Sequence, residues 1–447
     1  MNKSRRDFLS LCLKGGMSAA ALTSLQLQAL SGSIEQRNFS DYKALVCVYL
    51  YGGNDSMNML VPLTGDHRSW YEASRQNLAV QDALSLTTAS EFEGGVGLHP
   101  AMSTLQPYFD QQTLAFVGGV GTLIAPTSLA QYQGRSVPLP QHLFSHNDQQ
   151  ATWMHGQEKQ TLNTGWGARL LERLDQGTVF GSNITVDGAN PWQTGMNTSA
   201  FALSKSGISK INALSGYEPR VEHVRRVMQT LFNQTSHPLA SAYGSRLNGS
   251  IEHTLYMNTL LEEAPVLATE FGESSLSAQL AAVAKTISIQ SQLGAKRQIF
   301  FVSMGGFDTH DEQESAHPAL LGVLAQSLVE FQSAMAELEL TEQVSTFTMS
   351  DFGRTLTSNG DGTDHGWAGN QLILGGAVNG GDVHGAMMPQ QLDGSNDVGG
   401  GRLIPAFGNE QYFAPLARWF GLADSEMTEL FPNLSNFDAQ ALSLFKV

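Results

Sequence analysis

Three apolar segments of the sequence each run directly into a bend that carries an aspartate. In chain order the segments are 42–50, 297–302 and 344–350, and the aspartates are Asp55, Asp308 and Asp351. Short segments rich in β-branched and aromatic residues are typical of buried strands. The chain is therefore constrained to a fold in which several buried strands end in polar bends.

Helical patterns separate these strands. The spacing of apolar residues predicts helices over 278–294 and 317–340, and two further apolar strands over 113–121 and 370–378. Alternation of helices with apolar strands predicts an α/β fold with a mostly parallel central sheet and helices on both faces. In such sheets ligands bind outside the carboxyl ends of the strands, which is where the three aspartates lie.

The domain organisation follows from composition along the chain. Residues 40–447 show no Pro- or Ser-rich linker and no repeat, so we predict one α/β domain. The segment 359–401 is rich in Gly, Asp and Asn, which predicts long loops that cover the strand ends.

The N-terminal segment has the pattern of an export signal. Ser4-Arg5-Arg6-Asp7-Phe8-Leu9 is a twin-arginine sequence, and a mildly apolar stretch follows it up to about residue 30. The alternative is a short N-terminal helix with chance arginines. The signal predicts export of the folded protein by the twin-arginine machinery to the periplasm or beyond.

Charge and hydropathy restrict the partners. The net charge of the whole chain is −16, and residues 1–30 hold four basic residues and one acidic residue, so the remainder is near −19. This acidity argues against nucleic acid or an anionic membrane as a partner. After residue 30 we predict no stretch apolar for long enough to span a bilayer.

A set of acids and histidines forms the candidate metal site. Carboxylates and imidazoles together are the ligands of zinc, manganese or iron. Strand-end loops are polar in most proteins, however, so a single such pair is more often part of an ordinary loop than a pair of ligands. The candidates are Asp55, His146, Asp308, His310, Asp351, Asp364 and His365.

Ser145 and Arg354 are the candidate catalytic residues. A serine at the start of a helix can act as a nucleophile, with a helix N-terminus near its anionic product. Ser145 is also suited to cap that helix, with Asp148 completing a capping box. Ser56 is a second, weaker candidate nucleophile. Arg354 would bind an oxyanion through its forked donors or form a surface ion pair.

The motifs resemble those of an exported bacterial family, domain of unknown function 1501. The segments that carry the resemblance are "VYLYGGNDSMNMLVP", "FSHNDQQATW", "GWGARLLE", "SMGGFDTHDEQ", "MSDFGRTLTSNGDGTDHGW" and "LILGGAVNGG". They extend over essentially the whole chain after the signal. The family has no assigned reaction.

That family in turn is similar, more distantly, to the alkaline phosphatase and sulfatase superfamily. The resemblance implies an alkaline phosphatase-like fold and a divalent metal ion, with zinc, manganese and calcium as candidates. Residue by residue, it implies metal ligands at Asp55, Asp308, His310, Asp351 and His365, with Ser145 as the nucleophile.

Two departures from the superfamily pattern bear on the chemistry. The middle ligand pair is usually four residues apart, whereas Asp308 and His310 are two apart, and Phe352 stands where a histidine is expected. Either His146 or Asp364 replaces that histidine, or one metal is bound, or the site has lost metal and activity.

Two functions follow from these observations. The first is a metal-dependent hydrolase or transferase that acts on phosphate or sulfate esters. The second is a non-catalytic protein that binds metal or an envelope glycan on the same fold. Anionic esters and envelope glycans are thus the expected ligands.

Overall fold

The central sheet is mostly parallel. The computed structural model describes residues 37–156, 163–214, 218–233, 238–437 and 442–446, and the predicted signal over 1–30 lies outside them. In the described residues the sheet has nine strands in the order β13-β5-β12-β9-β1-β8-β6-β7, with β14 also paired to β5. The strands of the chain are β1 Lys43–Leu50, β2 Leu60–Val61, β3 Leu84–Leu86, β4 Val96–Leu98, β5 Leu114–Gly121, β6 Asn183–Thr185, β7 Phe201–Ala202, β8 Arg297–Met304, β9 Val344–Ser350, β10 Arg354–Ser358, β11 Thr363–His365, β12 Gly369–Leu374, β13 Val383–Gly385 and β14 Phe407–Gly408.

Only β12, among the described strands of this sheet, runs against the others. It pairs antiparallel with both β5 and β9, whereas the pairs around β1, β6, β8, β13 and β14 are parallel. The predicted α/β fold with a mostly parallel sheet is therefore confirmed. Two smaller units lie beside it: the antiparallel sheet β2-β4-β3 and the hairpin β10-β11.

Twelve α-helices lie between the strands or after them in the described residues. Their bounds are α1 Gly65–Arg75, α2 Gln106–Asp110, α3 Leu129–Gly134, α4 His146–His155, α5 Trp166–Arg173, α6 Glu218–Asn233, α7 Pro238–Glu262, α8 Ser275–Ile287, α9 Gln290–Leu293, α10 Gln313–Glu337, α11 Asn409–Phe420 and α12 Met427–Leu430. The helix predicted over 278–294 is thus two helices, α8 and α9. The helix predicted over 317–340 begins four residues earlier, at Gln313.

The two faces of the sheet are covered by different side chains. Alternate residues of β1 point to opposite faces, and the face with Val46 and Val48 packs in an aliphatic core with Leu280 of α8 and Leu324 of α10. Aromatic rings dominate the other face. There Trp166 of α5 stacks on Phe413 of α11 at 4.6 Å and lies 5.9 Å from Phe347 of β9. Helices therefore cover both faces, as predicted.

One prediction about hydropathy is wrong. Helix α10, with 25 residues, is long and apolar enough to cross a membrane by length and composition. The same composition suits a core helix, because Leu321, Leu328 and Phe331 are fully buried against the sheet and its neighbouring helices.

The segment 359–401 contains more regular structure than predicted. Apart from the predicted strand over 370–378, which corresponds to β12, the sequence predicts long loops here, but the short strands β11 and β13 also lie within the segment. The described residues from Ser40 onward form one compact unit, and the loops between these short strands belong to it.

Candidate metal centre

Parallel pairing brings the three predicted strand ends together. β1 lies between β8 and β9, and its last residue, Leu50, pairs with Met304 on one side and Ser350 on the other. The bends that follow these strands therefore begin at the same level of the sheet. Asp55, Asp308 and Asp351 all come from these bends.

Gly52, in the bend after β1, allows the bends after β8 and β9 to approach it closely. Its φ is +113°, a value that side chains rarely tolerate, and a Cβ there would overlap the backbone nitrogen of Asp308. Its own nitrogen donates to Asp351 Oδ2 at 3.2 Å. The glycine after β1 thus places the β8 bend and the β9 bend against each other.

Asp308 is held by a buried arginine. Arg354 Nη1 donates to Asp308 Oδ1 at 2.6 Å and to the carbonyl of Gly52 at 3.2 Å, and Nη2 donates to the carbonyl of Thr363. Burial alone would raise the pKa of Asp308, but the hydrogen bond and charge of Arg354 lower it below its ordinary value. The carboxyl is therefore an anion over a wide pH range, and 45% of its side chain remains exposed.

His365 lies on the hairpin β10-β11 with its Nδ1 fixed. Nδ1 is 2.7 Å from the carbonyl oxygen of Phe144, which can only accept, so Nδ1 carries the proton and Nε2 has the lone pair. Phe144 adopts φ +71°, a strained value for a bulky residue. Burial lowers the pKa of His365, in part opposed by this hydrogen bond. A neutral imidazole is the form that binds a metal.

His146, the first residue of α4, is oriented by Asp351. Its Nδ1 lies 2.6 Å from Asp351 Oδ2, and Gln150, one helical turn later, donates to the same oxygen at 2.9 Å. The acceptor assigns the proton to Nδ1 and again leaves Nε2 with a lone pair. Carboxylate–histidine pairs of this kind orient metal ligands in many proteins.

These three side chains point their ligand atoms at one another. His146 Nε2 is 3.1 Å from His365 Nε2 and 3.5 Å from Asp308 Oδ2, and His365 Nε2 is 3.3 Å from Asp308 Oδ1. The three ligand atoms lie within 4.8 Å of one another. Two imidazole nitrogens and a carboxylate are a donor set that fits a divalent transition metal. We call these residues the ligand trio.

His310 borders the ligand trio. Its Nε2 is 3.0 Å from Asp308 Oδ1 and 3.0 Å from His365 Nε2, and its Nδ1 is 3.1 Å from Asp364 Oδ1. The predicted pair Asp308 and His310 is thus adjacent in space as well as in sequence. Asp364 supports His310 as Asp351 supports His146.

Asp55 lies at the same sheet edge but is turned away from the trio. One carboxylate oxygen accepts from Arg75 and the other from Gln313, and the Asp55 and Arg75 side chains have no exposed surface. The structure therefore does not bring Asp55 together with the other predicted ligands. Asp351, in contrast, contacts the trio: its Oδ2 is hydrogen-bonded to His146. Its buried Oδ1 has no hydrogen-bond partner among the described residues.

The family assignment follows from the sequence match. Residues 42–398 match the family described as "Protein of unknown function (DUF1501)". The chain belongs to the DUF1501 family. The prediction of family membership is confirmed, and the matched range includes the ligand trio, His310 and Arg354. No curated protein matches the sequence significantly.

Solved structures give distant likenesses to this DUF1501 protein. The lipoteichoic acid synthase LtaP of Listeria monocytogenes is 9% identical, with 89% of this chain and 76% of that chain covered and a TM-score of 0.34. The soluble domain of lipooligosaccharide phosphoethanolamine transferase A of Neisseria meningitidis is 7% identical, with 88% and 93% covered and a TM-score of 0.36. The PsFucS1 sulfatase of Pseudoalteromonas sp. is 10% identical, with 94% and 73% covered and a TM-score of 0.34. Since these TM-scores are below 0.5, no conclusion about activity rests on them.

The two predicted catalytic residues have other contacts in this DUF1501 structure. Ser145 precedes α4 in the N-cap position, but its hydroxyl donates to Asp148 Oδ2 at 2.6 Å instead of accepting a backbone hydrogen bond. Arg354 is fully buried, and its donors hold Asp308, Gly52 and Thr363. Catalytic roles for both residues stay predictions.

Several residues of the site were missed from the sequence. Gln150 follows His146 by four residues, so helical spacing places both on one face and could have indicated it. Arg402 donates to the carbonyl of His365 at 3.0 Å and lies over the ring of Phe144, and no local pattern marks it. Phe352, where the superfamily has a histidine, packs its ring 4.7 Å from that of His365.

Proposed function

We propose that this DUF1501 protein is a metal-dependent hydrolase or transferase that acts on phosphate or sulfate esters. The observation that carries the proposal is the ligand trio: two imidazole Nε2 atoms and one carboxylate face a common point, and each Nδ1 is held by an acceptor. The ester class comes from the resemblance of the motifs to the phosphatase and sulfatase superfamily. The predicted twin-arginine signal would send the folded protein out of the cytoplasm.

Zinc is the metal that the donor set favours. Two neutral imidazoles and one carboxylate are a common catalytic zinc ligand set, and manganese accepts the same donors. Calcium prefers six to eight oxygen ligands, which the trio does not supply. We therefore rank zinc first and manganese second, and place calcium last.

Three protein ligands would leave one coordination position for water or substrate. The side chains of the trio are 24–45% exposed, so solvent reaches the site. When bound, a divalent metal supplies Lewis-acid stabilisation of an anionic ester oxygen. The buried Arg354 cation behind Asp308 would add positive charge on the protein side.

Ser145 is the proposed nucleophile. Its oxygen would form a bond to phosphorus or sulfur as the bond to the ester oxygen breaks, and its proton would pass to Asp148 Oδ2, which already accepts it at 2.6 Å. Asp148 would then give this proton to the departing ester oxygen, which leaves as the alcohol. Water would then cleave the serine ester and return the hydrogen to Ser145. In a transferase a second hydroxyl would replace this water.

His310 favours a second candidate function, a non-catalytic metal-binding protein. Its Nε2 lies 3.0 Å from both Asp308 Oδ1 and His365 Nε2. A fourth protein ligand would close the coordination shell, which is typical of structural zinc sites. If His310→Ala retains stoichiometric zinc, three ligands suffice and the open site is supported; loss of zinc supports the closed, structural one.

Metal binding is the first prediction to test. The purified protein should contain about one zinc or manganese per chain, and zinc should raise the melting temperature of the EDTA-treated protein, because binding stabilises only the folded state. His146→Ala should abolish that rise. His155→Ala is the matched control, since His155 ends the same helix α4 and contacts Thr164 instead of the trio. A wild-type protein without metal, in which zinc leaves the melting temperature unchanged, would disprove the proposal.

Activity is then tested on aryl phosphate, phosphodiester and sulfate esters. Ser145→Ala should lose turnover and keep its zinc, because Ser145 is not a member of the trio. Turnover equal to the wild type would remove Ser145 from the mechanism. A protein that binds zinc and turns over none of these esters would favour the non-catalytic function.

A further inference from the structure

A buried glutamine joins the segments that carry the metal ligands. Gln313, the first residue of α10, is 1% exposed. Its Oε1 accepts from Thr363 Oγ1 at 2.6 Å and from Thr309 Oγ1 at 3.1 Å. Thr309 lies between Asp308 and His310, and Thr363 begins the strand that carries His365. One amide oxygen thus ties together both ligand-bearing segments.

The buried pair Asp55–Arg75 fixes the orientation of that amide. A carboxylate can only accept hydrogen bonds, so Gln313 must present Nε2 to Asp55 Oδ2 and its oxygen to the two threonines. Arg75 is itself held by Asn58 Oδ1 at 3.0 Å and by the carbonyl of Thr355 in β10 at 2.8 Å. The glutamine therefore has a single orientation that satisfies its neighbours.

The same network reaches the ligand trio from a second direction. Thr363 Oγ1, which donates to Gln313, accepts from Arg354 Nε at 3.2 Å, and Arg354 holds Asp308. A backbone hydrogen bond links the same two segments, since Gln313 N donates to the carbonyl of Asp361 at 3.0 Å. The side chains of Gln313, Thr363 and Arg354 are almost fully buried.

We infer that Gln313 is a positioning residue for the metal site, oriented by Asp55 and Arg75. It aligns the Asp308–His310 bend and the hairpin of His365 so that their ligand atoms meet. Asp55 thus acts on the site through Gln313 and not as a ligand. The inference rests on the proposed metal-binding function and deepens it. Substitutions outside the ligand shell of known metal sites weaken metal affinity roughly 10–100-fold.

The test measures zinc affinity, because a merely structural role would lower stability alone. The zinc dissociation constant of the EDTA-treated protein is determined by competition with a chromophoric chelator. Gln313→Met keeps the length of the side chain and should weaken zinc binding roughly 10–100-fold. Gln298→Met is the matched control: Gln298 is fully buried and bonded to Tyr42 and Gly181 at the opposite end of β8. It should lose stability and keep its affinity.

A second pair of variants guards against a Gln313 variant that does not fold. Thr309→Val removes the hydroxyl that donates to Gln313, and Thr309→Ser keeps it. The valine variant should bind zinc roughly tenfold more weakly or worse, and the serine variant should bind like the wild type. If Gln313→Met and Thr309→Val both bind zinc with wild-type affinity, the inference about Gln313 is wrong and the proposed metal-binding function still stands. A wild-type protein that binds no metal overturns the proposed function as well.

Discussion

At the scale of single residues, the orientation of His146 depends on one carboxylate. Asp351 Oδ2 receives hydrogen bonds from His146, Gln150 and the backbone of Gly52. Asp351→Asn preserves the shape but removes the charge that makes the imidazole a stronger ligand. We therefore expect zinc affinity to fall roughly 10–100-fold, as measured by chelator competition.

The control for this substitution is Asp382→Asn. Asp382 also accepts hydrogen bonds, from Ser90, but it contacts no member of the ligand trio. It should leave zinc affinity unchanged. Equal affinities in Asp351→Asn and the wild type would show that His146 is oriented without the carboxylate charge.

The residues of the site were predictable to different degrees. The types and strand-end positions of Asp308 and Asp351 followed from the apolar strands, since parallel strands end at one edge. The direction of a side chain did not follow. Asp55 sits at the expected edge, yet it turns to Arg75 and Gln313, which are 20 and 258 residues away in sequence. Such partners are set by tertiary packing, which a single sequence does not display.

At the scale of elements, the hairpin β10-β11 delivers His365 by close backbone packing. Thr363 N donates to the carbonyl of Thr309 at 3.0 Å. Only glycine fits at position 362, since a Cβ there would overlap the backbone of Thr309 and His310. Gly362→Ala should push the hairpin off the His310 bend, lower the melting temperature and weaken zinc binding.

Gly360 in the same turn provides the control for Gly362. Gly360 has φ +108°, but a Cβ there would meet no atom within 4 Å. Gly360→Ala should therefore cost backbone strain of about 1–3 kcal/mol and leave zinc affinity unchanged. If Gly362→Ala and Gly360→Ala weaken zinc binding equally, close packing of the hairpin is not what positions His365.

The long buried strands were predictable from the sequence, whereas the short strands and the direction of β12 were not. Strands β1, β8 and β9 were recognisable because buried parallel strands are apolar throughout. The short strands β11 and β13 were not, since three residues in a Gly-rich segment show no period. The antiparallel direction of β12 is also a tertiary property, because its sequence is as apolar as that of a parallel strand.

At the scale of the whole molecule, two buried histidines make stability depend on pH. Burial lowers the pKa of His99 and of His317 to about 4, although the charge of Asp55 opposes the shift at both. Arg75 and Arg354 lower the pKa of His317 further, as does His99. Both histidines are therefore neutral in the folded protein at pH 5, where the unfolded chain binds protons.

The sign of the effect follows from this difference. A lowered folded-state pKa means that stability is complete above about pH 6.5 and is lost as pH falls toward 4. Each histidine contributes up to about 3 kcal/mol to this loss. The buried Glu410 acts in the opposite direction, because burial raises its pKa to about 8 against the hydrogen bonds from Asn433 and Leu434. The contribution of Glu410 to stability is complete below about pH 4.5 and is lost as pH rises through 8. Glu410 therefore does not cause the loss of stability at acid pH.

The melting temperature of the EDTA-treated protein should therefore fall steeply between pH 6.5 and 4.5. EDTA removes metal release as a cause, although His365, whose pKa is also lowered by burial, adds to the loss. His317→Gln removes one titrating group and keeps a donor toward Asn54, so its melting temperature should fall less over this range than that of the wild type. His67→Gln changes a partly buried histidine that lies 3.6 Å from Glu93 instead of beside Asp55, and it should show the wild-type slope. Equal slopes in all three proteins would show that the titration of His317 is not a cause of the acid sensitivity.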